Sequence, residues 1–278
     1  MLDMKCSILP SLALLYLFSV FSTGAGMDQT VLGLVKSHSD MHVVVLGDSN
    51  SSIGGDECDQ PQGWTKWFCE LFRPASMHSY ARSGATWTNT TLTRHNETEN
   101  TPLLGNNNVI YNQVRRLFTA YDNGIQPEPH LIIIAAGTND VWFTKSRPHV
   151  FDDTPERAFQ IKDITQLQPS KVLSLAAAVR YNTELIRSRF PQARIILLTP
   201  MQCTAASNQQ THRAGELIAE CAGLLGVDVI RQDTICCIDR DKELQQHIYT
   251  IDGIHTNPAG AEQNGRILYD AITKILQH

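Results

Sequence analysis

His130-Leu131-Ile132-Ile133-Ile134-Ala135-Ala136-Gly137-Thr138-Asn139-Asp140 (residues 130–140) is the stretch on which the fold turns. Its Leu and Ile run has no polar alternation, so residues 131–135 need cover on both faces, as a central strand of a parallel sheet does. The chain then becomes polar at once, and Gly137 permits a sharp turn. A buried strand that ends abruptly in Gly-Thr-Asn-Asp places polar side chains at the rim of a sheet.

Outward from this strand, similar runs alternate with amphipathic ones. Residues 42–46 (HVVVL) form a short β-branched strand ended by Gly47-Asp48, and residues 77–81 fit a second strand. Residues 194–199 and 227–231 supply two more, about five in all. Between them, helical spacing marks residues 63–72, where Trp64, Trp67, Phe68 and Leu71 share a face. It also marks 109–121, 171–190, 211–225 and 258–276. Parallel strands need crossover connections, so this order predicts an α/β fold: a three-layer α/β/α sandwich around a mostly parallel sheet. In such sheets ligands gather beyond the carboxyl ends of the strands. Two long polar connections, 89–108 and 141–170, are of the length usually reserved for function or mobility.

The chain has 278 residues, 42% of them hydrophobic and 18% charged, with a formal net charge of -5. Nothing there provides the basic field that holds nucleic acid, and a small or neutral substrate fits better. Residues 1–26 have the order of a secretory signal: one Lys, an apolar run from Cys6 to Phe21, then small residues. The run is short for a membrane span, although an uncleaved anchor is the alternative. The expectation is therefore export, periplasmic or extracellular, of one domain spanning 27–278, with no stable span after cleavage. Cys58, Cys69, Cys203, Cys221, Cys236 and Cys237 then remain, as disulfides or as free thiols. No paired CxxC and no HExxH occurs, so no metal and no organic cofactor is expected. Asn50, Asn89 and Asn96 each open a glycosylation sequon.

Four blocks carry chemistry. Ser49 follows the first strand directly, but a serine hydroxyl is a weak nucleophile until a base takes its proton. Asp252-Gly253-Ile254-His255 places a carboxylate and an imidazole on one loop, so that the acid can fix the tautomer and leave the other ring nitrogen to serve Ser49. Asn139 offers a side-chain amide to the oxyanion of a tetrahedral intermediate, and Gly84, in Arg82-Ser83-Gly84-Ala85-Thr86, offers an unhindered backbone N–H. Taken singly, each block also reads as an ordinary turn.

In this order the blocks resemble the SGNH (GDSL-like) hydrolase family, named for the Ser, Gly, Asn and His of its successive motifs. The resemblance implies a flavodoxin-like fold, with Ser49 as nucleophile, Asp252 and His255 completing a triad, and Ser49 (backbone N–H), Gly84 and Asn139 forming the oxyanion hole. It extends from Val43 to Gly260. One departure is Asn50, where the family's other name has Leu. Asp48 and Asp140 read as supports that hydrogen-bond nearby backbone. The implied activity is carboxylic ester hydrolysis through an acyl-enzyme, with a small-molecule or glycan ester as partner. Export favours a carbohydrate acetylesterase. Trp142 and Phe143 read either as a stacking wall or as loop anchors. The alternatives are a lipase or lysophospholipase, an O-acyltransferase, and a non-catalytic carbohydrate-binding protein.

Overall fold

Runs of branched residues favour extended chain, and in the computed structural model, which describes residues 38–98 and 101–277, they build one sheet. Its strands are β1 His42–Gly47, β2 Ser76–Ser79, β3 Leu131–Ala135, β4 Arg194–Leu198 and β5 Asp228–Ile230, all parallel, in the spatial order β2-β1-β3-β4-β5. Val44 pairs with Ile132, and Ile132 with Ile195, so three strands stand level at mid-sheet.

Among the described residues ten α-helices accompany them: α1 Ser49–Ser52, α2 Trp64–Phe72, α3 Ile110–Asp122, α4 Thr138–Trp142, α5 Pro155–Gln160, α6 Leu175–Arg189, α7 Asn208–Leu225, α8 Gln232–Ile235, α9 Arg240–Gln245 and α10 Pro258–Leu276. Because side chains alternate across a strand, the sheet divides its apolar residues between two cores. Val44, Leu46, Ile132, Ile134, Ile195 and Leu197 face α3, α6 and α7. Val43, Val45, Leu131, Ile133, Ile196 and Leu198 face α2 and α10. This is the expected α/β/α sandwich. On the second face the helices approach closely at Gly265, where a Cβ would stand 2.6 Å from that of Trp67 and 2.8 Å from the Trp64 carbonyl oxygen.

Where boundaries differ from expectation, local hydrogen bonds decide. The second strand stops at Ser79 because the Ala81 N–H turns back to the Ser79 hydroxyl. The helix expected over 171–190 begins at Leu175, since Ser174 caps it by accepting the Ala177 N–H, while Lys171 closes a separate 3-10 turn. The helix expected over 211–225 begins three residues earlier, at a capping box made by Ser207 and Gln210. The connection over 141–170 holds α5 and two 3-10 turns.

The six described cysteines carry free thiols. Two of the sequons are closed by folding: Asn50 and Asn89 are buried, and the Asn89 amide donates to the Pro169 carbonyl oxygen. The signal segment expected over 1–26 lies outside the described residues. Among those described, no helix is long and apolar enough to cross a membrane.

Candidate active site

The carboxyl end of β1 makes the first part of the site. Gly47 is needed where it stands, since a Cβ would lie 2.5 Å from the Ala135 carbonyl oxygen on β3. The Gln113 side chain clamps Gly47 from α3, accepting its N–H and donating to its carbonyl oxygen, each at 2.8 Å. Asp48 leaves the strand and caps α1 by accepting the Asn50 N–H at 3.1 Å. Ser49 is therefore the first residue of a helical turn whose start is fixed by β3 and α3.

The second part is the turn after β2. Gly84 adopts a φ of +79°, a left-handed conformation that glycine takes without steric cost. Arg82 N–H donates to Gly47 O at 3.1 Å, and the Ser52 and Ser83 hydroxyls meet at 3.0 Å, so this turn is tied to the Ser49 turn. The third part is α4. Asn139 is buried and donates a side-chain amide proton to the Ala85 carbonyl oxygen at 3.0 Å, beside Gly84. Asp140, next to it, accepts the Trp87 and Thr88 N–H groups and the Thr88 hydroxyl at 2.7–3.0 Å. One carboxylate thus holds the Gly84 segment against α4.

The loop before α10 supplies the fourth part. Asp252 Oδ2 and His255 Nδ1 are 2.6 Å apart, and Asp252 Oδ1 accepts the backbone N–H groups of Ile254 and His255. Burial alone would raise the Asp252 carboxyl, but the His255 backbone, the imidazole and the Ile254 N–H outweigh it and hold the group below the ordinary carboxylate value. The acid therefore stays charged at neutral pH and orients the ring. Gly253, at φ +82°, sits against Thr204, whose N–H donates to the Gly253 carbonyl oxygen. Both neighbours of Ser49 reach this loop. Thr256 N–H donates to Asn50 Oδ1 at 3.3 Å, and His255 is close enough to Asp48 to favour its ionised form.

Asp48 is fully buried, and burial pushes its carboxyl up to about 6 against the opposing hydrogen bond from Asn50. Burial likewise raises Asp140, despite the bonds from Thr88 and Trp87. Both carboxylates meet backbone groups as the sequence suggested. Trp142 and Phe143 stack on each other, ring centroids 4.5 Å apart, with Trp142 exposed on one side.

Sequence reasoning missed four contributors. Gln113 and Thr204 lie far along the chain from the residues they hold, and Asn50 was noted only as a sequon and as a departure from Leu. Only the Asn50 position carried a signal, its departure from Leu. Leu103 was missed too: its Cδ2 would lie 3.3 Å from a Cβ placed on Gly84, and the side chain is 68% exposed.

A sequence model of the GDSL-like lipase/acylhydrolase family matches residues 45–263. No curated protein matches the chain. Solved structures with a similar fold include two candidate GDSL-like lipases from Bacteroides. The one from Bacteroides uniformis is 15% identical, covers 84% of this chain and 96% of its own, and has a TM-score of 0.55. That from Bacteroides ovatus is 17% identical, covers 85% and 99%, and scores 0.54. A candidate lipase from Chitinophaga pinensis, 13% identical, covers 85% and 99% and scores 0.53. At such identities the likeness is one of fold.

Proposed function

The chain belongs to the GDSL-like lipase/acylhydrolase family, and from that premise we propose that it hydrolyses carboxylic esters with Ser49 as nucleophile, His255 as general base and Asp252 as its orienting acid. The observation that carries this reading is the Asp252–His255 contact at 2.6 Å on a loop bonded to the turn of Ser49. With Nδ1 engaged by the carboxylate, Nε2 is left to accept the serine proton. Ser49 attacks the ester carbonyl, and the oxyanion that forms takes hydrogen bonds from the Ser49 and Gly84 N–H groups and from Asn139. His255 gives its proton to the leaving alcohol, an acyl-enzyme results, and water activated by His255 releases the acid.

For the substrate we favour a small acyl group on a glycan, and for the location export through residues 1–26. Supporting the first are the openness of the pair, with His255 26% and Asp252 46% exposed, and the exposed Trp142 ring close after Asn139, suited to a sugar face. Supporting the second is the order of charge, apolar run and small residues at the start of the sequence. A longer aliphatic ester is the second reading, favoured by the exposed Leu103 beside Gly84.

Acid release by the full chain and by Ser49→Ala tests these readings, with aryl esters of graded chain length and acetylated oligosaccharides as substrates. Release that vanishes in the variant supports the serine mechanism, and the preferred chain length chooses between the two substrates. Acyl transfer to an added sugar in preference to water would assign a transferase. No release from folded protein would overturn the enzymatic reading in favour of carbohydrate binding.

A further inference from the structure

Cys236 and Cys237 are adjacent in the chain, in the short segment between α8 and α9. Both are partly exposed. The Ile238 N–H donates to Cys236 Sγ at 3.4 Å, and the Cys236 thiol lies 3.7 Å from Asn264 Oδ1 on α10. Cys237 Sγ lies 3.6 Å from the Gly260 carbonyl oxygen, in the first turn of the same helix. Two thiols adjacent in the chain thus both lie against the first two turns of α10.

We propose that Cys236 and Cys237 form a redox site, which a hydroperoxide oxidises to a vicinal disulfide, and that closing this ring disturbs the Asp252–His255 loop. Cys237 is the attacking sulfur. The neighbouring Cys236 thiol holds Cys237 below the ordinary value, whereas burial and the neighbouring sulfur push Cys236 up. The Cys237 thiolate takes the terminal oxygen of the hydroperoxide; the O–O bond breaks, the alcohol leaves with a proton, and Cys237 becomes a sulfenic acid. Cys236 sulfur then displaces the sulfenic oxygen, which leaves as water with the Cys236 proton. The two thiols lose two electrons and two protons, and the peroxide bond accepts both electrons.

Geometry makes this bond a switch rather than a staple. Neighbouring Cα atoms stand about 3.8 Å apart, short of the roughly 4.4–6.8 Å that disulfides usually span, so the ring is strained and readily reduced. The other described cysteines are poorer targets. Burial pushes Cys221 up to about 12 and raises Cys58, Cys69 and Cys203.

The path to catalysis is short. Gly260 N–H is held by Asn257 Oδ1, Asn257 N–H by Tyr249 O, and the Asn257 amide by Ile248 O, each at 2.9 Å. These residues flank the Thr250–Thr256 bridge that carries Asp252 and His255. Drawing Cys237 away from Gly260 shifts the end of that loop, and this catalytic consequence rests on the ester-hydrolase reading.

The test treats the reduced full chain with stoichiometric hydrogen peroxide, alkylates the remaining thiols and maps peptides by mass. In the expected result the peptide with Cys236 and Cys237 loses two hydrogens, resists alkylation and recovers with dithiothreitol. Ester turnover falls roughly tenfold or more and recovers in parallel. Cys236→Ser and Cys237→Ser, checked for folding by circular dichroism, form no ring and show no reversible loss. Two alkylated thiols after treatment, or sulfinic acid without a ring, would overturn the site. A ring that leaves turnover unchanged would overturn its link to the loop. Ring formation in a protein without ester turnover even when reduced would support the dithiol site and overturn the hydrolase reading alone.

Discussion

Asn139 donates one side-chain amide proton to the carbonyl oxygen of Ala85 at 3.0 Å. An amide nitrogen carries two protons, so the bond to Ala85 fixes the plane of the group and leaves the second proton with a set direction beside Gly84. Asn139→Ala removes that donor, and kcat is expected to fall roughly 10²–10³-fold with little change in KM. Steady-state kinetics on a short-chain ester checks this. An equal loss through KM alone would place Asn139 in substrate binding.

Asp252→Asn keeps an oxygen to accept the Ile254 and His255 backbone N–H groups but removes the charge that faces His255 Nδ1. The loop is expected to survive and the base to lose its tautomer control, with kcat falling roughly 10³-fold or more. Circular dichroism together with kcat separates this from unfolding. Near-wild-type turnover would remove Asp252 from the mechanism.

Gly253→Ala attacks the same loop by shape. The position has φ +82°, and a Cβ would stand 2.2 Å from the Thr204 hydroxyl oxygen. Left-handed backbone alone costs roughly 1–2 kcal/mol for a non-glycine residue, so both turnover and melting temperature should drop. Adding Thr204→Ala relieves the clash and not the backbone strain, and the double variant should regain part of the loss.

Asp48 predicts a pH dependence of stability. Its carboxyl rises from 3.8 to about 6 in the folded protein, so folding favours the protonated form. Its stabilising contribution is complete below the unfolded value near 4 and is lost as pH rises through about 6. A shift of this size corresponds to at most about 3 kcal/mol. Asp48→Asn, which keeps an acceptor for the Asn50 N–H, should remove that decline. Urea midpoints of both proteins at pH 4 and pH 7 measure it, and parallel changes would show that Asp48 does not titrate with folding.

The sequence carried the sheet plainly because its strands are unbroken apolar runs; β3 begins and ends where the Leu and Ile run does. The last helix was equally legible, from Pro258 to Leu276, since Pro marks its first turn and its apolar face repeats without interruption. Short helices such as α5, α8 and α9 gave too few turns for a period to show, the cap at Ser174 lay inside a stretch read as helix, and that at Ser207 lay in the loop before one. In the site, Ser49, Asp252, His255, Gly84 and Asn139 were singled out by residue type and order. What holds them was hidden, because Gln113 reaches Gly47 across 66 positions and Asp140 reaches Thr88 across 52. Such bonds depend on two strands or turns lying side by side, a fact of topology that no local pattern encodes.

The close seat of α10 on α2 at Gly265 ties the proposed site to a distant groove. The Ser49 turn precedes α2 and the Asp252–His255 loop precedes α10, so on the mechanism proposed above the depth to which one helix settles on the other would help to set their alignment, as a bearing sets the play of a hinge. On that mechanism a change that swells this groove, far from any substrate, would lower the rate without touching a reacting atom.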